Sequence, residues 1–315
     1  MEQFHINFFG NNKEGILMKD KICSIVITYN RPNLLIKNLD MMLKQTIKSD
    51  ILVFDNHSSD ETKKILKDKG YLNNEQIQYY YNDENIGGAG GFEKAMRVAF
   101  SNNYDFIYLM DDDGRPIENT TLEKLVSKYK SLNNKLLILN SLVVYNRNLD
   151  VTFNCFKVKN YRDKIKDDLL DNIMPFNGTL ISKEVIKKIG FPRGDFFIRG
   201  DEREYTLRAR KNHVMLLTYV KSLYYHPVPK KSYKRFLWKK VEFEEEAPWK
   251  KYYETRNSIY ILKKYYSKRE LNTFELKLLI KTIMWDKRNI ITIKKAITDG
   301  KNEDFTYKAH IYLKE

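Results

Sequence analysis

The feature that most constrains this chain is a regular alternation of short apolar runs with longer amphipathic ones over its first two-thirds. The run "ICSIVITYN" (22–30) is apolar and β-branched and ends in polar residues. "RPNLLIKNLDMMLKQ" follows, with Leu34, Leu35, Asn38, Leu39 and Met42 at helical spacing on one face. "DILVFDN" (50–56) is a second strand. "SSDETKKILKDKG" is a helix, with Ser and Asp near its start and Gly70 after its end. "IQYYYN" (77–82) gives a third strand, "GGFEKAMRVAFSN" a helix opening on glycines, and "DFIYLMD" a fourth strand. This βαβαβαβ pattern predicts an α/β fold, a mostly parallel twisted sheet flanked by helices.

In such sheets the ligand crevice lies at the C-terminal ends of the strands. "TYNR", "FDNHSSD", "NDENIGGAGG" and "MDDDGRP" each follow a strand end, so their polar groups should gather on one rim. Three adjacent aspartates there repel one another unless something neutralises them. Alternate strand residues share a face, so Asp111 and Asp113 can converge while Asp112 points elsewhere. Two convergent carboxylates suit Mg²⁺ or Mn²⁺, hard cations that take oxygen ligands and commonly keep a diphosphate as a further ligand.

Further along, "LEKLVSKYKS" is helical, "KLLILNSLVVYN" is a strand, and 155–172 is irregular. "PFNGTLISKEVIKKIGFP" is a short strand and a helix closed by Gly190, "GDEREYTLRARKN" a helix, and "HVMLLTYVKSLYYHP" a last strand. After Pro229 the character changes. "EAPWKKYYETRNSIYILKKYYSK" and "LNTFELKLLIKTIMWDKRNIITIKKAI" are aromatic, basic, amphipathic helices. The division is an N-terminal extension (1–21), a catalytic domain (22–229) and a helical C-terminal subdomain (230–315).

That last part carries ten of the fifteen net positive charges, which suits anionic partners; its first helix is a candidate for peripheral contact with an anionic membrane. Cys23 and Cys155 form no CxxC or Cys/His motif, which points to a reducing, cytoplasmic setting and away from structural zinc. The first residues lack the basic start and apolar core of a signal peptide, and no apolar run is long enough to span a bilayer.

Several functions are disfavoured. "NIGGAGGF" (85–92) fails the GxGxxG dinucleotide pattern and follows the third strand, so its glycines point to close backbone approach to a ligand. An acidic rim repels phosphate unless a cation bridges it, which argues against nucleic acid as partner. A nucleotidyltransferase would open on a glycine-rich basic loop where "TYNRPN" stands, and an inactive scaffold would lose acids that are all present.

Six motifs then fall in one order: "SIVITYNR", "VFDNHSSD", "NIGGAGGF", "MDDDGRP", "FIRGDEREYTLRAR" and "YYHP". Over roughly residues 22–262 the chain resembles family 2 inverting glycosyltransferases of the GT-A fold, and "NIGGAGGF" and "YYETRNSIY" are similar to the galactofuranosyltransferase and rhamnosyltransferase branch. The resemblance implies a divalent cation (Mn²⁺ or Mg²⁺), a UDP- or dTDP-linked sugar donor and a glycan or lipid-linked glycan acceptor. It places Thr28, Asn30, Arg31, Asp55, Asn85, Gly87, Gly88, Asp111 and Asp112 on the nucleotide sugar, with Arg31 at the nucleotide or its diphosphate and Asp55 at the base. It places Asp111, Asp113 and His226 at the metal, Asp201 or Glu202 as catalytic base, and Asn177, Gly178, Arg256 and Asn257 on the acceptor side. Gly200 ahead of the paired acids, and Thr179-Leu180 after "NG", depart from the galactofuranosyl pattern. UDP-galactofuranose is the first donor on this reading and dTDP-rhamnose the second.

Overall fold

A computed structural model describes residues 20–145, 167–171, 176–228, 233–236, 239–242 and 246–313. The N-terminal extension up to residue 19, Cys155 with most of the 155–172 segment, and the boundary at 229–230 lie outside the described residues.

The alternation folds as expected at its start. Strands β1 (Ile22–Thr28), β2 (Asp50–Asp55), β3 (Ile77–Tyr81) and β4 (Phe106–Asp111) pair in parallel in the order β3-β2-β1-β4. Period-two alternation splits the core between the two faces. Cys23, Ile25 and Ile27 of β1 face helix α3 (Gly87–Ser101), which buries Phe92, Ala95, Met96 and Ala99 there. Ile22 and Val26 face helices α1 (Pro32–Leu43) and α2 (Thr62–Asp68), through Leu35, Leu39, Met42 and Leu66. Leu35 and Leu39 have no exposed surface, and truncating either to alanine would cost about 2–5 kcal/mol.

Beyond β4 the sheet is mixed rather than parallel. After the two-residue β5 (Arg115–Pro116) and helix α4 (Thr121–Ser131) come β6 (Leu137–Val144), the short β7 (Leu169–Leu170) and β8 (Thr179–Ser182). β8 inserts antiparallel between β4 and β6. Gly178 turns the chain into it at φ +70°; a Cβ there would lie 2.8 Å from Tyr224. Helices α5 (Lys183–Ile189) and α6 (Asp201–Lys211) lead to the long β9 (Met215–Tyr225), parallel to β6 and antiparallel to β5.

A small hairpin, β10 (Tyr233–Phe236) with β11 (Lys239–Glu242), precedes the helical tail. Helix α7 (Pro248–Tyr265) opens on proline and buries residues around most of its circumference, including Tyr252, Tyr253, Ile259 and Tyr260. Its tyrosines are therefore core, not a membrane-facing stripe. The second amphipathic segment is two helices, α8 (Lys268–Trp285) and α9 (Ile290–Asn302), followed by the short α10 (Ala309–Tyr312). The break is at Asp286, whose side chain accepts from Asn289 Nδ2 at 2.8 Å while its carbonyl accepts from the Asn289 amide at 2.9 Å, competing with helix continuation. No described helix is long and apolar enough to cross a membrane.

Candidate active site

Parallel pairing brings the ends of β1, β2, β3 and β4 to one rim. At the end of β4 the chain turns sharply, Gly114 donating its amide to the Asp111 carbonyl at 3.2 Å. Only glycine fits there, because a Cβ would lie 2.5 Å from the Tyr224 ring. From α1, Asn38 fixes the same turn, its Nδ2 donating to the Gly114 carbonyl at 2.7 Å. Arg115 and Pro116 then pair with Tyr225 and Tyr224. His226 follows directly, and this register is what delivers it to the aspartates.

Asp111, Asp113 and His226 each offer a ligand atom, all within 4.8 Å of one another. Two ligands across one small hard cation, with bonds of about 2.1 Å, lie up to about 4.3 Å apart, so slight closure would complete the site. His226 Nε2 is 3.3 Å from Asp113 Oδ1, while Nδ1 is 2.8 Å from the Pro227 carbonyl. A carbonyl only accepts, so Nδ1 carries the hydrogen and Nε2 is the nitrogen left to bind a metal. Burial and the Asp113 charge push Asp111 up to about 7. Burial also pushes Asp113 up, but the His226 hydrogen bond and the His226 and Arg31 charges outweigh it and hold Asp113 below its ordinary value. The donor set, two carboxylates and an oriented imidazole short of positive charge, fits a divalent cation.

Asp112 is not among the three ligands; because β4 ends at Asp111, it is the turn and not strand alternation that sets it towards Thr28. It is buried and accepts from Thr28 Oγ1 at 2.9 Å and from Arg31 Nη1 at 3.3 Å. Arg31 also reaches Asp113 at 3.3 Å while its side chain remains 54% exposed. Burial raises Asp112 to about 6 against the pull of Arg31 and Thr28.

The nucleotide-side loops are tied to one another. Asn30, at φ +54°, accepts from the Ser59 amide at 2.8 Å and donates its own amide to Ser58 Oγ at 2.9 Å. Asn56 and Asn85 lock the loops after β2 and β3: Asn56 Nδ2 donates to Asn85 Oδ1 at 3.1 Å, and Asn56 Oδ1 accepts from the Ile86 amide at 3.0 Å. Asp55, expected at the base, is fully buried, with one oxygen accepting from the Ser58 amide at 2.7 Å and the other from the Tyr79 hydroxyl. It braces the loop from beneath.

The glycine-rich loop needs a correction. Packing explains three of its four glycines: a Cβ would meet the Phe197 carbonyl oxygen at 2.0 Å from Gly87, Ile86 at 2.9 Å from Gly90 and Ile27 at 3.0 Å from Gly91. Gly87 also sits at φ +73°; only Gly88 borders open space.

The paired acids open α6. Asp201 is buried, and burial lifts it to about 6 although its own amide and that of Glu202 bond its carboxylate. Half-buried Glu202 is pushed well above its ordinary value by burial, then by the charges of Asp201 and Asp111, with Arg199 opposing. Both acids thus feel the metal-site cluster: the Asp111 charge helps raise Glu202, and the Asp201 charge helps raise Asp111.

The loop ahead of these acids is strained. Phe197 has φ +65° at the centre of a tight three-residue turn, closed by the Ile198 amide on the Phe196 carbonyl at 2.8 Å, and Arg199 has φ +66°. Arg256 and Asn257, expected on the acceptor side, are instead buried beneath it. Arg256 Nη2 donates to the carbonyls of Asp195 (2.9 Å) and Phe196 (3.2 Å). Asn257 Nδ2 lies 3.1, 2.9 and 2.7 Å from those of Phe196, Ile198 and Arg199. The Ala89 amide takes the Phe197 carbonyl at 3.0 Å, so every carbonyl from 195 to 199 is bonded. Asn177 and Gly178, also expected at the acceptor, are interior: Asn177 is 3% exposed, and the Gly178 amide bonds the Leu109 carbonyl at 3.0 Å.

Asn38, Tyr79, Arg199 and Tyr224 shape the site without having been singled out there, and Asn56 does so from a loop expected on the rim. Of the first four, Asn38 alone carried a signal, as a polar residue on the apolar face of α1.

With this geometry in view, the likenesses to known proteins have a physical basis. Residues 23–190 match the model of Glycosyl transferase family 2. Galactofuranosyltransferase GlfT1 of Mycolicibacterium smegmatis is 28% identical over 255 residues, covering 76% of this chain and 82% of that protein. The dTDP-rhamnosyl transferase RfbF of Shigella flexneri is 24% identical over 256 residues, covering 78% and 81%. Among solved structures, the mannosyltransferase PcManGT from Pyrobaculum calidifontis, in complex with GDP-Man and Mn²⁺, has a TM-score of 0.55 at 16% identity over 94% of this chain and 79% of that one. That likeness shows the GT-A fold. With more than half of its length matched by the family model, the chain belongs to glycosyl transferase family 2 and is a glycosyltransferase.

Proposed function

We propose that this glycosyltransferase is metal-dependent and inverting, and that it moves galactofuranose from UDP-galactofuranose to a hydroxyl of a growing cell-surface glycan or lipid-linked oligosaccharide. The observation that carries this reading is the meeting of Asp111, Asp113 and His226, with Glu202 near enough for the charge of Asp111 to help raise it. The likeness to GlfT1 supports the sugar; the likeness to RfbF supports a second reading, transfer of rhamnose from dTDP-rhamnose.

A divalent cation held by Asp111, Asp113 and His226 would neutralise charge gathering on the departing nucleoside diphosphate. Arg31, half-exposed and now spanning Asp112 and Asp113, can turn to the diphosphate once a cation takes over the aspartates. Glu202 accepts the proton of the acceptor hydroxyl at its carboxylate as that oxygen attacks the anomeric carbon opposite the leaving group, which inverts the centre. Its raised affinity for protons suits a group that takes one up. Asp201, engaged with backbone amides, holds Glu202 high by its charge. Arg256 and Asn257 keep the strained loop, and so both acids, in place.

Catalysis is assigned to 22–229 and support to 230–315, with the enzyme working in the cytoplasm, where the buried free thiol of Cys23 would stay reduced. The test is release of UDP from UDP-galactofuranose, and of dTDP from dTDP-rhamnose, with Mn²⁺ or with EDTA. Mn²⁺-dependent UDP release that grows with a glycan acceptor supports the first reading, and dTDP release moves it to the second. Equal rates in EDTA would remove the metal from the account.

A further inference from the structure

Helix α8 is apolar on two faces, and among the described residues only one of them is packed. Leu271, Phe274, Leu278 and Leu279 pack against Ile259, Leu262, Ile293 and Ile297 of α7 and α9. On another face Leu276 (60% exposed), Ile280 (48%), Ile283 (52%) and Met284 (42%) stand in solvent. At about 3.6 residues per turn these four form one stripe, roughly 12 Å long. Ile291, in the first turn of α9, is also exposed, at 79%. A soluble helix normally presents polar residues on the side away from its core.

The rim of the stripe is basic. Lys277 and Lys281 run along one side, Arg269 lies on the line of the stripe towards the start of α8, and Lys287 and Arg288 stand beyond its other end. Lys277, Lys281 and Lys287 are exposed and form no ion pair with another described residue. The crevice beside α8, lined by Lys251, Lys277, Lys281, Glu246, Glu254 and Asp286, is balanced in charge and contains none of the candidate catalytic or metal residues.

We propose that this face of α8 docks the enzyme on an anionic lipid surface, the helix lying in the interface with the stripe inserted and its lysines at headgroup level. An apolar face flanked by basic residues is the pattern of helices that lie flat on such surfaces. Charge disfavours an antiparallel second copy as occupant, because that two-fold pairing of the stripe would set Lys277 and Lys281 of one chain near the same lysines of the other. The proposal deepens the reading above only in giving a lipid-linked acceptor a place, and the docking itself does not depend on which sugar is moved.

The experiment is sedimentation of the full chain with vesicles of phosphatidylcholine, with and without phosphatidylglycerol, at low and high salt. Wild type should pellet with the anionic vesicles at low salt and stay in solution with neutral ones. Ile280→Ser/Ile283→Ser, and separately Lys277→Glu/Lys281→Glu, should weaken partitioning by roughly tenfold or more. All three proteins should keep the same thermal shift with UDP and Mn²⁺, so that loss of docking is distinguished from loss of the donor site. Wild type that ignores anionic vesicles overturns the proposal. So does a concentration-dependent dimer, measured by light scattering, that Ile283→Ser dissolves, because the stripe would then be an interface between copies.

Discussion

Asn257 Nδ2 lies 2.7 Å from the carbonyl oxygen of Arg199, two residues ahead of the paired acids. The same nitrogen serves the carbonyls of Phe196 and Ile198, so one buried side chain of α7 fixes a loop held in unfavourable backbone geometry. Asn257→Ala would strand the Ile198 and Arg199 carbonyls, Phe196 keeping Arg256 and the Ile198 amide, and cost about 1–3 kcal/mol. Asn257→Asp should be worse, because one carboxylate oxygen would keep the Arg256 Nε bond at 3.0 Å while the other would face the carbonyl oxygens that Nδ2 now serves. Turnover should fall in both variants by more than the loss of folded protein explains, since Glu202 is displaced. Melting curves beside kcat and donor KM check this; an unchanged kcat per folded molecule would make the contact structural only.

The two opening glycines of α3 separate packing from ligand approach. Gly87→Ala combines φ +73° with a Cβ 2.0 Å from the Phe197 carbonyl oxygen, and should cost at least about 2 kcal/mol. Gly88→Ala meets nothing within 4 Å in the protein, so its stability should change by less than about 1 kcal/mol. If Gly88 borders the nucleotide sugar, its variant should show its defect in donor KM. Denaturant titration and steady-state kinetics of the pair check both statements.

The paired acids should differ in kind. Glu202→Gln removes the group that takes the proton and should lower kcat by about 10²–10⁴ while nucleotide binding persists. Asp201→Asn removes the charge that holds Glu202 high, so its main effect should be a downward move of the acid limb of the pH–rate profile. Equal losses from the two substitutions at every pH would contradict this division of roles.

Metal binding should depend on pH with a definite sign. Without a cation, Asp111 is raised from 3.8 to about 7 in the folded chain, so folding holds its proton more tightly. The stability this contributes is complete below about pH 4 and is lost as pH rises through about 7. A cation takes the proton's place, so the gain in melting temperature from Mn²⁺ should be small near pH 5.5 and grow towards pH 7.5. EDTA should abolish the gain. A shift independent of pH would mean that the cation does not bind at Asp111.

The parallel half of the sheet was legible because its cause is local. The apolar runs of β1 to β4 and the one-faced pattern of Leu35, Leu39 and Met42 carry period and polarity in neighbouring residues. The rim followed from topology; alternation pointed to Asp111 and Asp113 together, although the turn after Asp111 is what separates Asp112 from them. What was hidden depends on partners far along the chain. β8 enters antiparallel because of its pairing with β4 and β6. Gly87 is required by Phe197, more than a hundred residues on. Arg256 and Asn257 looked like ligand residues because a polar pair within an aromatic helix has no local explanation; its explanation is a strained loop about sixty residues earlier. The break at Asp286 was readable in principle, since "WDKRN" sets an aspartate three residues before an asparagine that can bond it.

The central claim is that Asp111, Asp113 and His226 make a cation-dependent nucleotide site. The most direct measurement is a thermal-shift panel of UDP, dTDP, GDP and CDP, each with Mn²⁺ or EDTA, on wild type and Asp113→Ala. A ligand bound only by the folded chain raises the melting temperature by mass action. The account predicts that UDP with Mn²⁺ stabilises the wild type, that EDTA removes the effect, and that Asp113→Ala does not respond. Stabilisation by UDP that survives both EDTA and Asp113→Ala, or no response to any nucleotide with Mn²⁺, would contradict it.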